Sequence, residues 1–389
     1  MPRTVENPLL LTLAVAMALA LAGLGFVTVA PNRILSGQSL PLWQVVSSPA
    51  VVVVVVALIA LLAGTALLRP VPVASTASAL TASLLLVAAL VLAGSIAREV
   101  AASRGAAVRT SLGGAFWVVT VASALAAADA VKRLSPKPLV HAGLAAAAVL
   151  ALVALAMGGV FDDLALAHEF ANRKPVFRAE LLHHIGLVIA ALVPALVIGT
   201  CLGAFALMRP RFAGSLFAVL NLIQTIPSIA LFALLIGPLT SLSVAIPILR
   251  SLGLAGIGTA PAVIALSLYA LLPVARSVHT GFSNVPGDVV DAARGMGMTR
   301  LQISRQVAFP LALPVLLAGL RIVVIQLVGL AVVAALIGAG GLGTFIFQGL
   351  GQTAADLILL GALSTIGLAL LCDLLMKLLI AALTGRRAA

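Results

Sequence analysis

Charge is scarce in this 389-residue sequence: Asp, Glu, Lys and Arg together make up 9% of it. A soluble domain carries roughly a quarter charged residues, so a water-soluble globular fold is excluded. Cysteine is nearly absent. Cys201 and Cys372 both lie inside apolar runs, where a thiol behaves as a small hydrophobe, and neither a disulfide framework nor a metal cluster is indicated. Aromatic residues reach 4% and do not cluster. There is no H-E-x-x-H, no G-x-S-x-G and no Walker-type G-x-x-x-x-G-K-[ST]. The sequence therefore reads as a non-enzyme whose energy source, if it needs one, lies on another chain.

What is present is hydrocarbon. Apolar residues make up 62% of the chain and mean hydropathy is +1.25. A spanning helix needs about 20 mostly apolar residues. Ten such runs are predicted near 8–29, 49–68, 74–97, 111–131, 138–160, 181–207, 213–236, 258–275, 312–337 and 354–382. The expected fold class is an all-α polytopic membrane protein. The first run follows Arg3 as a secretory signal would, but its length and the spans after it favour an uncleaved anchor. The net charge of +12 sits in short loops between the runs, which points to membrane orientation rather than nucleic acid.

The polar segment 161–180 divides the chain. Residues 1–160 are rich in Ala, Val and Leu, with no motif and no detectable repeat; beyond 180, polar residues appear inside the spans, so function is sought there. Within 213–236, Asn221 and Gln224 lie three apart on one helical face, followed by Thr225, Pro227 and Ser228. Such groups either face a wet pathway or hold helices together, and Pro227 frees a backbone carbonyl. Arg321 falls inside a span, where a charge is a functional candidate or snorkels to the interface. Asp373 and Lys377 are spaced to pair. GAGGLG at 338–343 matches G-x-G-x-x-G formally, but the run before it is long enough to cross a bilayer, so the glycines are read as tight turns rather than a nucleotide site. His183 and His184 have Asp162, Asp163, His168 and Glu169 nearby, too poor a set for a zinc site.

One polar, basic stretch stands between the apolar runs: DAARGMGMTRLQISRQVAFP, Asp291 to Pro310. It reads as two short helices with a forced bend. Asn284 is expected to cap the first, which starts at Pro286; Gly297 ends it with positive φ; Thr299 and Gln302 supply a capping box for the second; Pro310 and Pro314 close it. Its register, Asp-Ala-Ala at positions one to three, glycine at seven and proline at twenty, resembles the cytoplasmic "EAA" loop of ABC-importer permeases. Together with NLIQTIPSIAL from Asn221, Tyr269 in LYALLPVARSVHTGF, and GAGGLG, the second half closely resembles permeases for quaternary-amine osmoprotectants.

The resemblance covers about Leu181 to Ala382, and residues 1–180 resemble the extra spans of a longer subgroup. It implies a type I ABC-importer permease core over 181–384 with an ATPase-docking loop at 284–311, an extracytoplasmic loop at 161–180 and a membrane region at 1–160. The docking residues would be Asp291, Ala292, Ala293, Gly297, Thr299 and Pro310, with Asp291 replacing the family's usual Glu. The translocation path would include Asn221, Gln224, Pro227, Ser228, Tyr269 and Arg321. The implied partners are a cytoplasmic ATPase dimer that holds the ATP and Mg, a second permease subunit, identical or paralogous, and an extracytoplasmic binding protein; this chain would hold no cofactor. The solute would be glycine betaine, choline or proline betaine, the alternative being another small solute such as an amino acid or a sulfonate. Placing the docking loop in the cytoplasm puts both termini of this bacterial inner-membrane protein inside, with fourteen basic residues on the inner side against eight outside.

Overall fold

The computed structural model describes residues 6–32, 35, 37–68, 71–105, 107–135, 138–248 and 254–385. They form two compact units, one ending at Asn172 and one starting at Arg173. Seven basic residues counted for orientation, Arg3, Arg33, Arg69, Lys137, Arg250, Arg386 and Arg387, lie outside the described residues. Each of the ten expected runs contains a helix, but among the described residues only seven helices are long and apolar enough to cross a membrane. Pro8–Gly23, Pro49–Thr65 and Gly143–Met157 are apolar but shorter.

In the first unit the helices are α1 (Pro8–Gly23), the short α2 (Leu42–Val45), α3 (Pro49–Thr65), α4 (Pro72–Arg104), α5 (Gly114–Leu134), α6 (Pro138–Met157) and α7 (Ala165–Asn172). α1 opens with proline, whose missing N–H has no intrahelical partner at that position, and the Asn7 side chain accepts the Leu10 N–H at 3.3 Å. The same Asn7 donates to Asp129 at 3.0 Å, and Arg133 donates to Asp129 at 2.8 Å, which ties the start of α1 to the end of α5. Met17, Leu62, Leu85 and Phe116 are buried in the common core of α1, α3, α4 and α5.

The first run, expected to be helical to residue 29, ends as a helix at Gly23. The β-branched residues after it instead form β1 (Val27–Ala30), which pairs antiparallel with β2 (Gln38–Leu40) and β3 (Arg109–Leu112) in the order β2-β1-β3, with Val27 opposite Leu40 and Leu112. Valine and threonine suit a half-buried pleated surface better than a helix end. The segment 161–180, expected as a loop, is helical over most of its length.

The second unit contains α8 (Lys174–Met208), α9 (Pro210–Thr225), α10 (Ser228–Ala245), α11 (Thr259–Ser283), α12 (Gly287–Gly295), α13 (Arg300–Gln302), α14 (Phe309–Leu330), α15 (Gly343–Gly351) and α16 (Ala355–Gly385). The run 213–236 is thus two helices, not one, because the chain leaves helical geometry at Ile226 and Pro227. α11 is the central element. It meets α8 where Gly199 and Gly203 lie four apart: a Cβ on Gly199 would sit 2.7 Å from the Val274 Cβ, and one on Gly203 2.6 Å from the Ala275 carbonyl oxygen. Small residues at this spacing let backbones approach where no hydrophobic effect draws helices together. On its other flank α14 contributes Val323 and Leu327 to the same buried cluster as Leu266 and Ala270. Gly203→Leu should therefore force α8 and α11 apart and lower the melting temperature of the detergent-solubilised protein by several degrees, whereas Gly214→Leu, at a glycine with open space around it, should leave it nearly unchanged.

Candidate functional site

The break between α9 and α10 is held by two hydrogen bonds to α11. Pro273 cannot donate to the carbonyl four residues before it, which is that of Tyr269, and the Gln224 Nε2 donates to that oxygen at 2.7 Å. In return the Tyr269 hydroxyl donates to the carbonyl of Ile226, the extended residue that ends α9, where no intrahelical donor follows. Beside this exchange is a cleft of about 310 Å³ lined by Gln224, Thr225, Ile226, Pro227, Ser228, Tyr269, Gln326 and Leu330. The structure thus brings together Gln224, Pro227, Ser228 and Tyr269 of the expected path. Asn221 is exposed and is not among the lining residues. Gln326, an amide on α14, carried no motif that would have drawn attention to it.

Arg321 lies elsewhere. Its Nε donates to Asp373 on α16 at 2.5 Å, and Lys377 approaches the other oxygen of the same carboxylate at 2.7 Å. A charge within hydrocarbon is costly alone, and here one carboxylate serves two cations. The pairing of Asp373 with Lys377 was legible from their spacing; the Arg321 partner, 52 residues away, was not.

Beyond the cleft the chain turns through the glycine segment. Gly338, Gly340 and Gly341 all have positive φ, and three side chains of α8 fasten the turn. Glu180 accepts the Gly341 N–H at 2.5 Å, and the His183 Nε2 lies 2.6 Å from the Ala339 carbonyl oxygen. His184 is fully buried and both ring nitrogens are engaged: Nδ1 accepts the Leu342 N–H at 3.3 Å, so Nε2 carries the hydrogen and donates to the Val328 carbonyl at 3.1 Å. The glycines read from sequence as tight turns are just that, and the two histidines serve the backbone.

The stretch expected from the sequence to dock an ATPase forms an elbow held by backbone and side-chain caps. α12 starts after Pro286, not after an Asn284 cap; Asn284 instead ends α11. At the bend Gly297 has φ +80°, its N–H donates to the Arg294 carbonyl at 2.9 Å and the Met298 N–H to the Ala293 carbonyl at 3.2 Å, the paired bonds of a Schellman end. The Thr299–Gln302 capping box follows at once, with the Thr299 N–H donating to the Gln302 Oε1 at 2.8 Å. Asp291 pairs with Arg294 at 3.0 Å at the surface. Val289, Met296 and Leu301 are exposed, Met296 by 75%, while Ala293 is buried. Pro310 and Pro314 do not close this helix. A π-helical stretch, Ile303–Ala308, leads into α14 without interruption, because its wider turn accommodates the missing donor of Pro310.

Residues 195–387 match the model of the family described as the binding-protein-dependent transport system inner membrane component, and residues 6–167 match the N-terminal domain of the ABC transporter permease YehY. The osmoprotectant import permease protein OsmW of Salmonella typhimurium is 40% identical over 203 residues, which cover 52% of this chain and 89% of that one. The chain belongs to this permease family. The carnitine transport permease protein OpuCD of Listeria monocytogenes is 34% identical over 201 residues (51% of this chain, 81% of that one), and the choline transport system permease protein OpuBB of Bacillus subtilis 35% over 190 residues (49% and 80%). This permease is accordingly an integral, multi-pass inner-membrane transport subunit, and its two matched regions account for the motif-free first half as well as the second. In this permease Gly341→Ala should introduce both a left-handed alanine and a Cβ 2.9 Å from the His184 Nδ1, costing about 1–2 kcal/mol. The purified protein should melt at lower temperature than wild type, while Gly367→Ala, at an uncrowded helical glycine, should not.

Proposed function

We propose that the chain is the translocating subunit of an ATP-driven importer of quaternary-amine osmoprotectants such as glycine betaine, choline or proline betaine. The named relatives act on osmoprotectants, carnitine and choline, which supports that solute class. Two copies of the chain, or one with a paralogue, would frame the pathway; a pair of cytoplasmic ATPases carrying ATP and Mg would grip the elbow, and an extracytoplasmic binding protein would deliver solute. Both termini are then cytoplasmic. The docking surface is Asp291, Ala292, Gly297, Thr299 and Pro310, with Met296 and Leu301 offering the apolar contact that an exposed polar loop would otherwise lack; Ala293, expected there from the sequence, is buried behind that surface and can only support it.

One observation carries the reading: the helix that begins at the elbow also lines the cleft. From Arg300 to Gln326 it runs unbroken for about 39 Å at 1.5 Å per residue. Closure of the ATPases on the elbow would shift this rod, and the elements against its far end, the α9–α10 break and the glycine turn, are where the chain is not a continuous helix and can rearrange.

The test is uptake of labelled glycine betaine by cells lacking other osmolyte importers, supplied with this chain and its cognate ATPase and binding protein. Uptake should require all three chains. Asp291→Lys should lose ATPase co-purification and uptake together. Gly297→Val should insert normally yet hydrolyse ATP without transport, because a β-branched residue at that φ opens the elbow at a cost of about 1–2 kcal/mol or more. Uptake independent of the ATPase, or normal coupled transport by Gly297→Val, would overturn the proposal.

A further inference from the structure

The cleft is lined without a single charge, and most of its polar groups are already engaged. The Gln224 amide donates to the Tyr269 carbonyl at 2.7 Å, the Tyr269 hydroxyl to the Ile226 carbonyl, and the Thr225 hydroxyl to the Leu222 carbonyl at 2.7 Å. Two lining side chains have no hydrogen-bond partner among the described residues: Gln326 on α14 and Ser228 at the start of α10. Each is partly buried. The Gln326 amide brings two N–H donors, and Ser228 stands where the first N–H groups of an 18-residue helix have no intrahelical acceptor. The remaining lining, Ile226, Pro227 and Leu330, is apolar.

Building on the importer reading, we propose that Gln326 is a specificity-determining residue of the passage, donating to the carboxylate of a zwitterionic quaternary amine while the apolar wall meets its methyl groups. A trimethylammonium head presents only C–H surface and accepts no hydrogen bond, so a cleft with free donors and no aromatic cage reads the other end of the solute. A carboxylate takes such donors strongly; the hydroxyl of choline takes them weakly. Gln326 therefore biases transport toward carboxylate-bearing solutes. Its position on α14 also makes the contact move with the helix that starts at the docking elbow.

The experiment compares maximal uptake of labelled glycine betaine and of choline in the same cells with the same ATPase and binding protein, so that abundance and delivery cancel in the ratio. Gln326→Leu should lower the betaine-to-choline ratio roughly tenfold, the scale of one hydrogen bond to a charged group, and Gln326→Glu should lower it further by repelling the carboxylate. Gln326→Asn should restore part of it. Because Gln326 holds no partner in the fold, ATPase co-purification and melting temperature should not change, which a structural role would not allow. An unchanged ratio, an equal loss of both solutes, or a wild type that carries choline but no betaine overturns the inference and leaves the importer reading standing. Wild-type uptake of neither solute overturns both. Should wild type carry betaine alone, the inference survives only if Gln326→Glu abolishes that uptake while the ATPase remains bound and active.

Discussion

In hydrocarbon no water is available to satisfy a peptide group, and each orphaned N–H or C=O costs several kcal/mol. The second unit follows from how this constraint is met wherever its helices fail. Pro273 leaves the Tyr269 carbonyl without its donor, and Gln224 supplies one; the chain breaks after Ile226, and the Tyr269 hydroxyl takes the exposed carbonyl. Two breaks on different helices are thereby cured by two residues that face each other. The cleft exists beside them because α9 and α10 are prevented from closing into one rod.

The same requirement shapes the glycine turn. Reversing the chain between α14 and α15 takes positive φ at Gly338, Gly340 and Gly341, and such a turn leaves N–H groups pointing outward from no helix. Glu180 and His184 accept two of them from α8. A carboxylate beside a backbone N–H is a charge-assisted bond, so this turn is fastened more firmly than its glycine content alone would suggest. The α9–α10 break, by contrast, is held by neutral groups. Of the two irregular segments near the cleft, the break is the one whose bonds are cheaper to exchange.

What the sequence made legible is what short-range chemistry decides. Gly297, the Thr299–Gln302 box and the bend between them depend on residues within six positions of one another, and the structure has each of them. The Asn284 cap failed for the same local reason: Pro286 begins its helix later, and Asn284 falls at the end of α11. Runs of apolar residues located the long helices but not their ends, and they passed over the short helices Leu42–Val45, Ala165–Asn172 and Gly343–Gly351. Hydropathy cannot tell a strand such as Val27–Ala30 from one more turn of helix, and it cannot see that Pro227 breaks a run instead of bending it. Glu180 and the Arg321–Asp373 pair were out of reach because their meaning lies in partners distant in sequence, 161 residues away for Glu180 and Gly341 and 52 for Arg321 and Asp373, and Gln326 because its meaning lies in a cleft that three other segments complete.

Helix α14 joins these levels. Its N-terminal extension is the capped elbow, its π-helical stretch carries Pro310 without ending the rod, Arg321 midway is neutralised against α16, and Gln326 and Leu330 reach the cleft. A break at Pro310, as the sequence suggested, would have isolated the elbow from everything above it and left any force applied there to dissipate in a flexible joint. The π turn instead carries helical hydrogen bonding up to Pro310 and on into α14. The Arg321–Asp373–Lys377 cluster ties α14 to α16 one helical turn or so before Gln326, so the part of the rod that reaches the cleft is fastened sideways to its neighbour as well as continuous with the elbow.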